Sequence, residues 1–258
     1  MREKIEAIWQ HTFVISQISY KNSKKEIDDT NLGFIWNVLS PLIYMIILST
    51  YYQNVMPHDI ERFPVFIFIG IIIFKYYRVA TQGAMKTLVN NKSLLTKSKL
   101  PIEIFVYEKI LAALKELGFS IIALVPIIYF FDLKINYRYL LLIIIIGLST
   151  VLIIGISKIL AILYVFFADV DYLYTVFMTL LMFLSSVFVP LDHLPEDFQN
   201  ILYINPIYIS ISLSRDAIMY NKSSSIKMWM ILLGWAIVFF LIGNVFFNKN
   251  RDRCINRL

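Results

Sequence analysis

The sequence contains few of the side chains that bind metals or act as nucleophiles. Among its 258 residues are one cysteine, Cys254, and three histidines, His11, His58 and His193. A single cysteine forms no disulfide within the chain and no paired-cysteine metal motif. The histidines are far apart and lie in a tail or in predicted outer loops, so no zinc-protease motif is available. These shortages argue against a metalloenzyme.

Glycine is also scarce, and none of the 8 glycines is followed by lysine. A nucleotide-binding P-loop needs a Gly-Lys pair ahead of Ser or Thr, so the sequence excludes one. We therefore expect no cofactor and no metal in this chain. If nucleotide hydrolysis drives the protein, another subunit must perform it.

Charged residues form the third shortage. They make up 16% of the chain against 59% hydrophobic residues, and the mean hydropathy is +0.69. That is more apolar surface than a single soluble core of this length needs. The apolar residues form long runs without the short alternating segments of a membrane β-barrel. The sequence thus predicts helices that span a lipid bilayer.

We predict an all-α polytopic membrane protein with one domain, residues 1–258, and six transmembrane helices. No internal repeat or linker divides the chain. The predicted spans cover residues 34–52, 63–85, 102–131, 139–167, 172–189 and 228–247.

The N-terminal segment, residues 1–30, has no apolar core or cleavage site of a signal peptide. Ile5, Ile8, Trp9 and Phe13 share one side of a helical wheel. This pattern predicts an amphipathic helix that lies in contact with lipid at the cytoplasmic interface. The alternative is a tail packed on the cytoplasmic ends of the spans.

Lysine and arginine are distributed unequally between the two sets of connecting segments. Both tails and the loop from Lys75 to Lys109 together hold 16 of them, whereas the first, third and fifth loops hold 6. Positive segments stay in the cytoplasm, which predicts that both termini are cytoplasmic. The net charge of +6 is explained by this orientation and does not require a nucleic-acid partner.

Three stretches carry a resemblance to a known family. They are LGFIWNVLSPL at 32–42, NNKSLLTKSKLPIEIF at 90–105 and VPLDHLPEDFQNILYINPIYISISLSRDAIM at 189–219. Together they resemble the permeases of type 2 ABC transporters that export cell-surface polysaccharides: O-antigen of lipopolysaccharide, teichoic acid and capsule. One departure is Ala168 before Asp169, where the family often has Arg-Asp.

The resemblance implies a bacterial cytoplasmic (inner) membrane protein that exports lipid-linked polysaccharide as a homodimer. Two separate nucleotide-binding ATPase subunits would hold ATP and Mg²⁺, and the chain itself would not be an enzyme. A permease for a lipid or drug has the same architecture. An intramembrane lipid-modifying enzyme is the third alternative, but only Asp192 and His193 lie close enough together to suggest a catalytic group.

Residues 86–101 are predicted to form a coupling loop. A short helix ends there before Pro101, because the residue before a proline disfavours helical geometry. The resemblance implies that this helix contacts the ATPase, whereas the alternative is a positive loop that only maintains topology. The residues concerned are Asn91, Lys92, Leu94, Leu95, Lys97, Lys99 and Pro101.

Residues 190–227 contain two apolar-periodic segments broken at Asn205-Pro206. We expect two short re-entrant outer helices, since irregular backbone at membrane depth must lie within protein or line a cavity. The resemblance implies an outer gate, and the alternative is a lid on the bilayer surface. Arg215 is expected to face the channel or a carboxylate. The gate residues are Pro190, Pro195, Asn205, Pro206 and Arg215.

Two further sets of residues complete the prediction. Candidate conduit aromatics, which would stack on sugars in the related exporters, are Tyr44, Tyr51, Phe74 and Tyr77. Lys115, Glu116 and Lys158 are predicted near the cytoplasmic ends of spans three and four. An intramembrane ion pair between Glu116 and Lys158 would offset their cost in lipid; alternatively the side chains extend to the aqueous interface.

Overall fold

A computed structural model describes residues 35–55, 62–97 and 100–258, and every regular element in these ranges is helical. The predicted interfacial helix, residues 1–30, lies outside them. The α-helices are α1 Ile35–Val55, α2 Phe63–Asn90, α3 Lys92–Lys97, α4 Glu103–Ile122, α5 Leu124–Phe130, α6 Leu141–Phe166, α7 Val170–Phe183, α8 Glu196–Leu202, α9 Pro206–Arg215 and α10 Ile226–Arg257. Short 3₁₀ turns precede α6 and α8, and a π-helical turn follows α9.

Four helical segments are long and apolar enough to cross a membrane. They are α2, α4 continued by α5, α6 with its preceding 3₁₀ turn, and α10. Shorter apolar segments lie in α1 and α7. The all-helical class and the membrane character are therefore confirmed, while the count of six spans stays a prediction.

The predicted third span, 102–131, is interrupted in the structure. Helix α4 ends at Ile122 and α5 begins at Leu124. Pro126 explains the break, because a proline lacks the N–H that would bond to residue 122 and its ring clashes with that carbonyl.

The fifth and sixth predicted spans have the wrong boundaries. Helix α7 ends at Phe183, six residues early, and a turn with Ser186 in the left-handed region follows. At 14 residues, α7 is about 21 Å long and does not cross a hydrocarbon layer of about 30 Å by itself. Helix α10 continues ten residues past the predicted end, to Arg257.

Helix α2 lies at the centre of the fold and packs against α1, α4, α6, α7 and α9. The most extensive packing joins α6 and α10. There Gly155 and Gly243 bring the two backbones together, and a Cβ atom on either glycine would overlap the other helix. Small residues permit such close approach where lipid supplies no hydrophobic force between helices.

Candidate functional site

The short helix α3 occupies the predicted coupling loop. Asn91 caps the end of α2, since its side-chain Nδ2 donates to Thr87 O at 2.8 Å. The carbonyl of Pro101 accepts from Ile104 N at 3.1 Å and starts the first turn of α4. Both flanking residues therefore anchor α3 to the long helices on either side of it.

The two leucines of α3 lie in different environments. Leu94 is 49% exposed, whereas Leu95 is half-buried and packs against the main core. Lys92 is exposed. The side chain of Lys97 and all of Lys99 lie outside the described residues. Leu94 is thus the apolar side chain that α3 presents outward, and the coupling role of the loop remains a prediction.

The outer segment contains the predicted break. Helix α8 ends at Leu202 and α9 begins at Pro206. Asn205 Oδ1 accepts from Ile207 N at 2.9 Å, and Asn205 Nδ2 donates to Leu184 O at 2.7 Å. Asn205 therefore caps α9 and ties the break to the turn after α7.

Helix α9 is buried inside the bundle, whereas α8 is mostly exposed. The burial of α9 argues against a lid on the membrane surface for this helix. Pro190 precedes the 3₁₀ turn and Pro195 precedes α8. The function of the segment as a gate stays a prediction.

The expected carboxylate partner of Arg215 is wrong, whereas its facing the channel stays a prediction. The side chain is 4% exposed, lines neither cavity described below, and forms none of the ion pairs among the described residues. Its guanidinium donates to the carbonyls of Phe66, Ser186 and Val187 at 2.8–3.3 Å and lies over the Phe66 ring. Carbonyl oxygens and an aromatic face satisfy the cation without a carboxylate. Gly70 leaves room for it, since a Cβ there would lie 2.8 Å from Arg215 Nη2.

Buried hydroxyl groups connect α9 to the central helices. Tyr77 OH lies 2.9 Å from Ser210 Oγ, and Ser149 Oγ lies 3.1 Å from the same atom. The network joins α2, α6 and α9. Ser210 is the shared member of this network, and Tyr77, one of the four candidate conduit aromatics, is 2% exposed within it.

The predicted ion pair between Glu116 and Lys158 is wrong. Glu116 pairs with Lys75 of α2 at 2.6 Å, and Lys158 pairs with Glu103 of α4 at 3.1 Å. Glu116 lies thirteen residues beyond the start of α4, about 20 Å along it, far deeper than predicted. Lys158 is 1% exposed and also bonds to Asn244 Oδ1 at 2.6 Å, so it does not extend to the interface.

A cavity of about 570 Å³ lies between α1, α2 and the end of α7, and we name it the cationic cavity. The two charged side chains in its wall are Lys75 and Arg78. Tyr44 and Phe74, two of the candidate conduit aromatics, also line it, whereas Tyr51 does not. The lining residues are Ser40, Pro41, Tyr44, Leu48, Ile71, Phe74, Lys75, Arg78, Val79, Met182, Val187 and Phe188.

A second cavity of about 590 Å³ lies on the other side of α7, and we name it the apolar cavity. Its wall has no ionisable group except the phenols of Tyr77 and Tyr174. The lining residues are Tyr77, Thr81, Leu152, Ile156, Tyr174, Phe177, Met178, Leu181, Leu184, Ile201, Ile204, Asn205, Pro206, Ile207, Trp235 and Phe239.

Sequence reasoning missed the importance of Lys75 and Arg78, which it counted as loop charges. Both lie inside α2, twelve and fifteen residues from Phe63. Without these two residues, the segments predicted to be cytoplasmic hold 14 lysines and arginines and the other loops hold 6, so the predicted orientation does not depend on Lys75 and Arg78. Their position inside an apolar segment was the available signal, because a charge at that depth is rare in membrane helices.

These features define a class of protein: a helical membrane protein with a cavity between apolar helices and two cations in the wall of that cavity. The model of the ABC-2 type transporter family matches residues 14–219, and the chain belongs to this family. It is 20% identical over 251 residues to an O-antigen export system permease protein, RfbA, from Myxococcus xanthus, with 96% of each chain covered.

Two further relatives have related names. An RfbA O-antigen export permease from Klebsiella pneumoniae is 22% identical over 242 residues, covering 92% of this chain and 91% of the relative. The polysialic acid transport protein KpsM from Escherichia coli is 23% identical over 194 residues, covering 73% and 74%. The names of these relatives describe O-antigen export or polysialic acid transport.

Proposed function

We propose that this chain is the membrane subunit of an ABC exporter that moves a lipid-linked polysaccharide across the bacterial cytoplasmic membrane. The single observation that carries this proposal is the cationic cavity at the middle of the long apolar helices. The names of relatives that match nearly the whole chain support the polysaccharide as cargo.

The lining of the cationic cavity suits a sugar polymer. Tyr44 is 58% exposed and contributes a ring with polar and apolar parts, while Phe74 lies in the opposite wall on α2. Aromatic rings pack on the C–H faces of sugars, and such contacts do not depend on which sugar is present. Apolar and weakly polar contacts of this kind allow a polymer to slide.

The exporter is proposed to be a homodimer. Arg78 is exposed on this chain although it lies near the middle of α2. A lipid-facing arginine at that depth is costly, so the surface around it must border water or protein. A second copy placed against α1 and α7 would enclose the cationic cavity and separate it from lipid.

Six spans with both termini in the cytoplasm are part of the proposal. Helix α1 would be the first span, and α7 together with the turn after Phe183 would be the fifth. Helices α8 and α9 would form the re-entrant outer gate. Cysteines introduced at Asn91 and Gln199 test this topology in intact cells. Only the cysteine at 199 should react with an impermeant reagent, and equal reaction of both would contradict the model.

ATP hydrolysis is assigned to two copies of a separate nucleotide-binding subunit, which would hold ATP and Mg²⁺. Helix α3 is proposed as the contact between the two kinds of subunit. Its exposed Leu94 supports this assignment, since apolar side chains that insert into a partner's pocket carry much of an interface's energy.

The test is to delete the coding sequence of this chain from its host and restore it on a plasmid. Surface polysaccharide should disappear on deletion while lipid-linked polymer accumulates inside the cell, and both should return to normal on restoration. Normal surface polymer in the deletion strain would reject the proposal. A lipid or drug cargo would instead show as altered membrane lipid or altered drug resistance.

A further inference from the structure

Lys75 and Arg78 lie on one face of α2, since residues three apart are neighbours on a helix. Lys75 is about 18 Å and Arg78 about 22 Å from the start of this helix of 28 residues, so they lie on either side of its midpoint. Both side chains line the cationic cavity. The two cations of the cavity therefore lie near the middle of a long apolar helix.

The charges of the two residues are balanced differently. Glu116 Oε1 lies 2.6 Å from Lys75 Nζ and neutralises it. The Nε of Arg78 donates to the neutral Oε1 of Gln82 at 3.3 Å, and among the described residues no carboxylate lies within ion-pair distance of Arg78. Within the described part of the chain, the wall of the cavity thus carries one positive charge, that of Arg78, that no carboxylate pairs with.

Arg215 is a contrasting arginine whose donors are satisfied by the chain itself. That guanidinium is buried, donates to three carbonyl oxygens and lies against the Phe66 ring. Arg78 has one neutral acceptor and an exposed side chain. Among the described residues no other acceptor contacts Arg78, so its remaining donors are available to a ligand.

A guanidinium at a cavity wall selects one kind of ligand. Its planar set of N–H donors matches the two oxygens of a carboxylate or phosphate, and charge-assisted bonds of this type are about twice as strong as neutral ones. Tyr44 and Phe74 in the same cavity provide surfaces for the sugar rings that would flank such a group.

We propose that the cationic cavity binds an oxyanion of the cargo, a carboxylate or a phosphate, and that Arg78 is the residue that recognises it. This inference rests on the proposed export function and adds the charge of the cargo to it. Two parts of a lipid-linked glycan supply this chemistry: acidic groups along the sugar chain and the diphosphate of the lipid linkage.

The test uses the complete complex with its ATPase subunits in lipid vesicles. ATP hydrolysis is measured with three probes: an oligomer of sialic acid, a neutral oligomer of mannose and a prenyl diphosphate. We compare the wild-type complex with Arg78→Gln, which removes the charge, and with Arg251→Gln, the same change at an exposed site on the cytoplasmic end of α10. Equal amounts of assembled complex are used for all three.

At least one anionic probe should stimulate the wild-type complex more than the neutral probe does. Arg78→Gln should raise the half-saturating concentration of that probe about tenfold, the effect of losing one charge-assisted hydrogen bond, and Arg251→Gln should not. An effect on the sialic acid oligomer alone identifies acidic sugars as the source. An effect on the prenyl diphosphate alone identifies the lipid linkage.

Equal responses of the wild-type and Arg78→Gln complexes to both anionic probes would overturn the inference. If Arg78→Gln does not assemble, Arg78→Lys replaces it, because lysine keeps the charge but loses the planar fork. It should lower the response to the diphosphate or the acidic oligomer, and an unchanged response would again overturn the inference. If the natural cargo is a neutral polymer and the Arg78 variants export it at the wild-type level, this inference alone is rejected. Normal surface polymer after deletion of the chain would instead reject the export function.

Discussion

The two cavities beside α7 have nearly the same volume, about 570 and 590 Å³, but different chemistry. The cationic cavity has Lys75 and Arg78 in its wall, whereas the apolar cavity contains no charged side chain. Contact with lipid chains costs an apolar wall little, but it costs an arginine at mid-depth several kcal/mol. The comparison teaches that charge, and not size, distinguishes the two cavities, and this difference is why the cationic cavity is the one proposed to hold the cargo.

One short turn contributes to both cavities. After α7 ends, Leu184 lines the apolar cavity, and Val187 and Phe188 line the cationic one. Arg215 holds this turn through the carbonyls of Ser186 and Val187. The boundary between the two cavities therefore depends on a buried arginine from the outer segment.

The largest effect on stability is expected where the backbones of α6 and α10 are in contact, next to the apolar cavity. Gly155→Leu places a side chain into the backbone of α10 at Phe239, which itself lines this cavity. We expect a loss of more than about 4 kcal/mol in stability and no folded protein in the membrane. Gly147→Leu on the same helix is the control, because a Cβ there meets nothing within 4 Å. Similar membrane levels for the two variants would contradict the close crossing.

The next effect tests the turn that separates the cavities. Arg215→Ala removes the donors from three buried carbonyls, and each unsatisfied carbonyl costs about 1–3 kcal/mol. We expect a clear fall in the melting temperature of the purified protein in detergent, with a corresponding loss of export. Arg251→Ala, at an exposed site, should melt like the wild type. A selective loss of export with an unchanged melting temperature would instead place Arg215 in the transport path.

A smaller effect is expected from the ion pair at the cationic cavity. Glu116→Gln leaves Lys75 without its partner, and we expect a cost of about 1–2 kcal/mol, because both side chains are only about a quarter exposed. The double variant Lys75→Met with Glu116→Gln should recover most of this loss. Melting temperatures of the wild type, both single variants and the double variant measure the coupling. If the loss in the double variant equals the sum of the losses in the two single variants, the ion pair contributes nothing to stability.

The smallest effect on stability is expected outside both cavities. Leu94→Asp changes an exposed side chain on α3, so the melting temperature should move little. Co-purification of the ATPase subunit should fall sharply if α3 is the contact. Leu140→Asp, the same change at an exposed position just before α6, should leave co-purification intact. We prefer the single change to a double change at 94 and 95, because Leu95 packs against the core.

Local patterns in the sequence predicted much of the fold. Long apolar runs predicted membrane helices, and the starts of α1, α2 and α4 each lie within one residue of the prediction. The break at Asn205-Pro206 was predicted for the same reason, since a proline and a capping asparagine act on their own segment of chain. The early end of α7 was missed because Ser185 and Ser186 lie in an otherwise apolar run and the hydropathy does not change there.

By itself, the sequence determined that this protein is a helical membrane protein with no P-loop, because hydropathy and motif spacing depend only on neighbours along the chain. Tertiary structure alone decided the partner of each buried charge. Glu116 pairs with Lys75 and not with Lys158, and Arg215 donates to carbonyl oxygens, whereas the sequence predicted that it faces the channel or a carboxylate. These choices depend on how each helix is rotated and shifted against helices distant in the chain. No local pattern contains that information. A polar side chain in a membrane core needs a hydrogen-bond or ion-pair partner, and the packing of the helices decides which groups are within reach.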